Sequence, residues 1–541
     1  MKFSNWLSQR AVQKKNAIAL IFKSGINSES EHWTYLQLEA DVNQWIDYLQ
    51  ALGIKAGDRI GLLLTNHPRY IMLIHALVKC KAIAVFLNIR LTAEEIRWQI
   101  EDSQTKYLIC DEFTQLTANH LESQIKELVV ENCPHPRAPS PRGRGGEKVM
   151  LSSPSGREER GEGLTNLENI QGIFYTSGTT GKPKGVPLSY SNHFHNAIAS
   201  ALHLGIEPDD NWLLCMPMFH VGGLAIAWRS VINGTTITLL PKFDEQQVLK
   251  AIAIEKVTII SLVPTMLNRL LQHPHWASLQ KLRAILLGGA PASPELIDRC
   301  IQLNLPIMPT YGMTETASQV TTLLPHEVAT KRGSSGLPLF GNRLRIVDDS
   351  NQDLAIGEIG QILVQGASVM SGYLHQHTNA IQDGWLRTGD LGYLDRDGYL
   401  YVVSRRSDLI ISGGENIYPT EIEAILLAHP LITEACVVGI GDREWGEIVV
   451  AVIVAKAQLS LAEIRDFCEQ KSLARYKLPK AIYIWESLPK TASGKLLRQE
   501  IRDRLELTAL RAQTQTKKDF ESVALQHFQN LSWFGFEREA L

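Results

Sequence analysis

Ile173-Phe174-Tyr175-Thr176-Ser177-Gly178-Thr179-Thr180-Gly181-Lys182-Pro183-Lys184-Gly185 reads as an apolar strand running directly into a loop of hydroxyls, glycines and lysines. Glycines let backbone amides turn toward anionic oxygens, hydroxyls donate further hydrogen bonds, and lysines offset charge, so the segment from Thr176 to Gly185 suits a polyphosphate. It is not a Walker loop. Thr176 stands where the first glycine should be, and Lys182 is followed by Pro183 rather than Ser or Thr. A flexible linker would share the composition, but linkers rarely place Lys-Pro-Lys-Gly behind a strand.

Outward from this loop, short β-rich runs alternate with helical patterns from about Phe174 to Thr322, the signature of parallel βα units. Ser189 to Asn192 offers N-caps for a helix through Ala201, and further helices are expected from about Asp244 and from Ser293 to Leu303. Strands are expected at Val257–Val263 and Leu282–Leu287. The composition changes around Ser404 to Asp408. Near and beyond it, strands are expected at Tyr399–Val403, Ala435–Ile440, Ile448–Val454 and Ala481–Trp485 and helices at Thr420–Ala428 and Leu461–Gln470, and the part beyond it is an α+β lobe of roughly 100 residues. The expected organisation is α/β: a large N-terminal domain over 1–404 with parallel-rich βα sheets, a small α+β C-terminal lid over 405–505 joined by a hinge, and a tail over 506–541.

One segment departs from this pattern. Asn132 to Leu164 is rich in Pro, Gly, Arg and Glu, has few apolar residues, and is expected to be a disordered insertion. Elsewhere, 541 residues at 44% hydrophobic composition are too many for one ordinary core. A net charge of −3 gives no broad basic surface for nucleic acid, and no apolar run is long enough to span a bilayer. The first residues lack the apolar stretch of a signal peptide, so a cytoplasmic protein is expected. Cys80, Cys110, Cys133, Cys215, Cys300, Cys436 and Cys468 are scattered, with neither disulfide nor zinc spacing, and are expected to be reduced core residues.

Further motifs follow in order: Tyr311-Gly312-Met313-Thr314-Glu315, Gly384-Trp385-Leu386-Arg387-Thr388-Gly389-Asp390, Ser404-Arg405-Arg406-Ser407-Asp408 with Gly413-Gly414-Glu415, and Pro489-Lys490-Thr491-Ala492-Ser493-Gly494-Lys495. Together with the phosphate loop they resemble the adenylate-forming superfamily of acyl-CoA and aryl-CoA ligases, luciferases and peptide-synthetase adenylation domains. The resemblance covers about Thr34 to Leu505.

It implies ATP, Mg²⁺ and coenzyme A as co-substrate. By position, Thr176, Ser177, Gly178, Thr179, Thr180, Gly181, Lys182 and Lys184 would hold the phosphates, and Glu315 the metal, since hard cations bridging phosphates prefer carboxylate oxygen. Thr314 would donate to the α-phosphate, and Tyr311 with Gly288, Gly289, Ala290 and Pro291 would surround the adenine. Asp390 and Arg405 would contact the ribose. Lys495 would reach the substrate carboxylate and the α-phosphate, a point charge placed where negative charge builds on phosphorus. Gly413 and Gly414 match the face presented to the thiol of coenzyme A. The hinge position of the family usually holds Asp or Lys and falls here on Ser407, so Ser407 and the neighbouring Asp408 both stand as hinge candidates. Taken alone, Tyr311 reads equally as a core aromatic and Gly288–Pro291 as a left-handed turn.

The acid is read from Met216 to Gly223, continuing to Trp228-Arg229: an apolar segment carrying His220 and Arg229. A buried arginine left unpartnered costs about 3–5 kcal/mol, so either a protein carboxylate or an anionic ligand is expected beside it. This stretch, with Tyr311 to Gln319 and Ile410 to Pro419, resembles the ligases of menaquinone or phylloquinone synthesis. Their acid carries a second carboxylate on an aromatic ring, which His220, Arg229 and Ser318 would receive. Other aryl or medium-chain acyl-CoA ligases, and an adenylation enzyme that loads a carrier protein, remain alternatives. The expected partners are small molecules, with no nucleic acid and no integral membrane association; self-association into a homo-oligomer stays open.

Overall fold

The structure is a computed structural model that describes residues 2–3, 5–121, 126–129, 165–176, 183–375, 380–412, 415–442, 445–471, 473, 475–491 and 495–507. The expected insertion, the tail beyond 507 and Cys133 lie outside them. The chain divides between Val403 and Ser404 into two compact units.

In the large unit, a nine-stranded sheet runs in the order Leu337–Pro338, Ser318–Thr322, Ile307–Met313, Ala284–Leu287, Ile259–Leu262, Asn211–Leu214, Thr236–Leu239, Ile18–Phe22, Glu31–Thr34. From Ile307–Met313 to Ile18–Phe22 every pairing is parallel. Parallel strands need crossovers. The helices Val221–Asn233, Glu245–Ile254, Pro264–Gln272 and Pro294–Gln302 supply them. Their starts are written in the sequence: Asp244 accepts from the Gln247 amide, Ser293 accepts from the Leu296 amide, and Pro264 and Pro294 occupy first turns, where a missing N–H costs nothing. With both sheet faces covered, strands such as Ile259–Leu262 and Ala284–Leu287 are buried along their whole length.

A six-stranded sheet runs Lys184–Ser189, Ile170–Thr176, Ile83–Phe86, Arg59–Leu63, Tyr107–Cys110, Lys126–Val129. A smaller antiparallel sheet is built on Arg343–Val347, Gly360–Gln365 and Trp385–Leu394. The α/β class expected from the sequence therefore holds, but the parallel pattern does not extend to both ends of Phe174–Thr322. Lys184–Ser189 returns antiparallel to Ile170–Thr176, and Ser318–Thr322 returns antiparallel to Ile307–Met313. At both places too few residues separate the paired strands for a crossover helix.

The small unit has a mixed sheet of Glu415–Ile417, Ile410–Ser412, Gly446–Ala455 and Ile432–Asp442, with Ala481–Ile484 parallel to Gly446–Ala455. Alternation along Ile432–Asp442 splits its side chains between two cores. Val437 packs with Ile422, Leu426 and Ile464, and its neighbours Cys436 and Val438 pack with Ile501 and Leu505 of a helix over 498–507. Of the described cysteines, Cys110, Cys215, Cys300, Cys436 and Cys468 are buried and Cys80 is half-buried.

Candidate active site

Both ends of the phosphate loop are fixed by the sheet, because Thr176 and Lys184 face each other across the antiparallel pair. Ser177, Gly178, Thr179, Thr180, Gly181 and Lys182 lie outside the described residues. The return strand is tied to Glu315 by residues that no sequence motif had singled out. Lys184 Nζ lies 5.2 Å from the centre of the Tyr373 ring, and the Tyr373 hydroxyl donates to Glu315 Oε1 at 2.9 Å. The Leu374 amide donates to the Gly185 carbonyl and the Met370 amide to the Glu315 carbonyl, each at 2.8 Å. Residues 370–374 thus tie Lys184 and Gly185 of the return strand to the turn that carries Glu315. Tyr373 sits in a stretch without periodicity, so nothing in the sequence pointed to it.

Glu315 belongs to a short helical turn, Thr314–Thr316, between the strands Ile307–Met313 and Ser318–Thr322. The pairing register shifts between Tyr311 and Gly312, where Val320 of the second strand is the extra, unpaired residue. A Cβ at residue 312 would overlap the Ser318 carbonyl, so only glycine allows the two strands to approach. Ala317 and Ser318 both have positive φ, at 54° and 120°, which turns the chain tightly back. On the other side, the Tyr311 hydroxyl donates to Asp390 Oδ2 at 2.7 Å. Asp390 is itself buried in Trp385–Leu394, so this bond joins the nine-stranded sheet to the antiparallel one. Gly288 follows Ala284–Leu287, and a Cβ there would stand 2.7 Å from Thr310 Cγ2 on the neighbouring strand. Gly289 adopts φ +79°, a left-handed turn. Ala290 is half-buried and Pro291 exposed.

His220 and Arg229 are carried by the helix Val221–Asn233, His220 as the residue just before it. Nine residues of helix place their Cα atoms about 13 Å apart along the axis. Burial, with the Arg90 charge second, pulls the His220 pKa down to about 4, so the ring is neutral near pH 7, and its Nε2 has no hydrogen-bond partner among the described residues. Arg229 is only 2% exposed. Among the described residues no carboxylate pairs with it. Instead Nη2 donates to Asn196 Oδ1 at 2.7 Å, the guanidinium lies 5.5 Å from the centre of the Trp212 ring, and Nε has no partner there. Burial pulls its pKa down to about 9, which leaves it charged at neutral pH. Asn196 also reaches the turn of Ser318: Nδ2 donates to the Gln319 carbonyl at 2.9 Å and the Thr316 carbonyl at 3.3 Å.

Arg229 and Ser318 are therefore brought to one place through Asn196. The signal for Asn196 was present in the sequence, where Asn192, His193, Asn196 and Ser200 recur at helical spacing on one side of Tyr190–Leu204, polar residues on a face that proves buried. Asn192 caps this helix with Ser189 and donates to the Ala367 and Val369 carbonyls at 3.0 and 2.8 Å, just ahead of residues 370–374.

The remaining candidates lie in the small unit. Arg405 ends the strand Leu400–Arg405, and Ser407 lies in the turn Arg406–Asp408. Asp408 accepts from Arg498 Nε at 3.2 Å, and Arg498 also pairs in fork geometry with Glu423, with Nη2 2.6 Å from Oε2. Gly413 and Gly414 lie outside the described residues, between strands that pair Ser412 with Glu415. Lys495 is exposed, with its amide donating to Thr491 Oγ1 at 3.1 Å and its carbonyl accepting from the Thr491 amide at 2.7 Å.

Comparison with known proteins gives a consistent picture. Residues 7–374 match the family described as AMP-binding enzyme, and residues 421–495 match the AMP-binding enzyme C-terminal domain. A 2-succinylbenzoate–CoA ligase of Bacillus cereus is 42% identical over 506 residues, covering 93% of this chain and 98% of the relative. The Bacillus cytotoxicus enzyme of the same description is 44% identical over 512 residues, with the same coverage. Among solved structures, o-succinylbenzoate CoA synthetase from Bacillus subtilis in complex with the acyl-adenylate intermediate OSB-AMP superposes with a TM-score of 0.82 at 38% identity, covering 93% of this chain and 98% of that one.

Proposed function

Because the chain belongs to the AMP-binding enzyme family, we propose that it joins 2-succinylbenzoate to coenzyme A, consuming ATP and releasing AMP and pyrophosphate. In the first half-reaction an oxygen of the succinyl carboxylate attacks the α-phosphorus of ATP, and the bond from that phosphorus to the bridging oxygen of pyrophosphate breaks. In the second, the sulfur of coenzyme A, having lost its proton, attacks the acyl carbon, and AMP leaves with the electron pair of the acyl–oxygen bond. The product feeds menaquinone or phylloquinone synthesis, and the reaction is assigned to the cytoplasm.

The observation that carries the choice of acid is Arg229: a buried guanidinium with a neutral amide and an aromatic face as neighbours, and no carboxylate among the described residues. A charge so placed is expensive unless a ligand meets it, and the ring carboxylate of succinylbenzoate is such a ligand. A monocarboxylic acid would leave it uncompensated. Ser318 adds a hydroxyl to the same region, and His220, neutral at pH 7, contributes hydrogen bonding rather than charge.

The nucleotide is assigned to Tyr311, Asp390, Gly288, Gly289, Ala290 and Pro291 for the nucleoside, to Thr176 through Lys184 for the phosphates, and to Thr314 for the α-phosphate. Magnesium bridging phosphates takes one or two protein carboxylates, its other positions being filled by phosphate and water. Glu315, oriented by the Tyr373 hydroxyl, fits that demand. When bound, the ion neutralises phosphate charge. Lys495 is the charge assigned to the carboxylate and α-phosphate in the first half-reaction, Arg405 a second ribose contact, and Gly413 and Gly414 the approach of the thiol; Ser407 and Asp408 remain the hinge candidates.

The test is AMP release by the purified protein with succinylbenzoate, benzoate and octanoate in turn, with coenzyme A as acceptor. Preference for succinylbenzoate by tenfold or more in kcat/KM is expected. Comparable rates on all three acids would overturn the dicarboxylate assignment. Adenylate formation without transfer to coenzyme A would point to a carrier-loading enzyme.

A further inference from the structure

Asn196 occupies the buried face of the helix Tyr190–Leu204, one turn beyond Asn192 and His193, and is 2% exposed. An amide side chain donates at one end and accepts at the other. Here the two ends are used on different parts of the molecule. Nδ2 donates to the Thr316 and Gln319 carbonyls, on either side of the left-handed pair Ala317 and Ser318, while Oδ1 accepts from Arg229 Nη2. The two carbonyls can only face the NH₂ group, so they fix which way the amide points. The amide in turn fixes where the guanidinium lies, held against the Trp212 ring.

We propose that Asn196 is the positioning residue for acid selection, setting Arg229 and the Ser318 turn in one arrangement before the acid arrives. The inference rests on the assignment of Arg229 to the second carboxylate. Its physical logic lies in neutrality. A carboxylate at residue 196 would still accept from the guanidinium but would neutralise it, leaving no charge for a ligand, and would offer no donor to the Thr316 and Gln319 carbonyls. An amide orients without neutralising. The neighbourhood supports this, since the nearby histidine of the same helix, His193, is held neutral by burial and by Arg229 itself, with its pKa near 3. The Ser318 turn also needs support from outside, because consecutive positive φ values at non-glycine residues are strained.

The experiment compares kcat/KM for succinylbenzoate with that for 4-oxo-4-phenylbutanoate, the same acid without its ring carboxylate. The full-length enzyme is used, as Asn196→Asp, Asn196→Ala and Arg229→Ala. The readout is the ratio of the two values, since a side chain that merely holds the helix together would depress both acids alike. Asn196→Asp should lower the ratio at least about tenfold, approaching that of Arg229→Ala, with the change in KM for the dicarboxylate; Asn196→Ala should lower it by a smaller factor. An unchanged ratio in both Asn196 variants, alongside a collapsed ratio in Arg229→Ala, would overturn the positioning role and leave the acid assignment standing. An unchanged ratio in Arg229→Ala would overturn the acid assignment and the positioning role with it. Should Asn196→Asp fail to fold, the Ala variant carries the same comparison.

Discussion

Replacing Arg229 with methionine separates what this residue does for the fold from what it does for the substrate. Methionine keeps much of the length and removes the charge. In the folded protein the guanidinium is buried, gives one hydrogen bond to Asn196 and has no carboxylate among the described residues to offset its desolvation. Exchanging buried charge for apolar side chains is often neutral or stabilising by about 1–4 kcal/mol, whereas the Asn196 oxygen left without a donor costs about 1–3 kcal/mol. The two nearly cancel, so the thermal midpoint should move by only a few degrees. Function should not be spared. A bidentate guanidinium–carboxylate contact contributes about 1.5–3 kcal/mol, so kcat/KM for succinylbenzoate should fall roughly 10- to 150-fold. Differential scanning fluorimetry gives the first quantity and a coupled AMP assay the second. A variant that is strongly destabilised yet handles succinylbenzoate normally once folded would refute the reasoning, because Arg229 would then be a structural residue.

Lys495→Ala should abolish adenylate formation, measured as pyrophosphate release, while transfer from preformed adenylate to coenzyme A falls much less; equal loss of both half-reactions would contradict its role. Tyr373→Phe removes the hydroxyl that orients Glu315 and should raise the magnesium concentration needed for half-maximal adenylation by roughly 3- to 10-fold, as expected for one lost hydrogen bond to a carboxylate. A magnesium titration superimposable on that of the parent enzyme would contradict this orienting role. Acid should destabilise the large unit early. Burial lowers His75 and His193 to about 3 and His220 to about 4, with Lys79, Arg229 and Arg90 respectively as the second cause. These pKa values lie below the unfolded value near 6.5, so the unfolded chain binds more protons in between. Stability is therefore full above about pH 6.5 and falls as pH drops toward 4. Thermal midpoints measured from pH 7.5 to 4.5 should decline throughout that window, and a flat profile would contradict neutral burial of these rings.

Local chemistry was legible in the sequence. Helix starts at Ser189, Asp244 and Ser293 followed from hydroxyl or carboxylate side chains placed to accept from amides three residues on, a rule that needs no knowledge of the fold. The apolar strands of the parallel sheet were visible because burial on both faces makes them continuous hydrophobic runs. The family, and with it the two-step reaction, was readable from motifs whose residue types are dictated by phosphate, metal and ribose. The sequence also raised the question of what sits beside a buried Arg229, and left open whether a protein carboxylate or a ligand answers it.

The answer depended on which chain segments meet. Asn196, Arg229 and the 316–319 turn come from separate elements, and their contact is set by the packing of the Tyr190–Leu204 helix between its neighbours. Tyr373 reaches Glu315, and Tyr311 reaches Asp390, across comparable gaps in sequence. Such hydrogen bonds leave no periodic trace in a single chain, because each partner's residue type satisfies several local roles. Where residues are close in sequence, chemistry determines their arrangement; where they are distant, only the burial of apolar surface on both sides of the sheets decides which polar side chains are left facing one another.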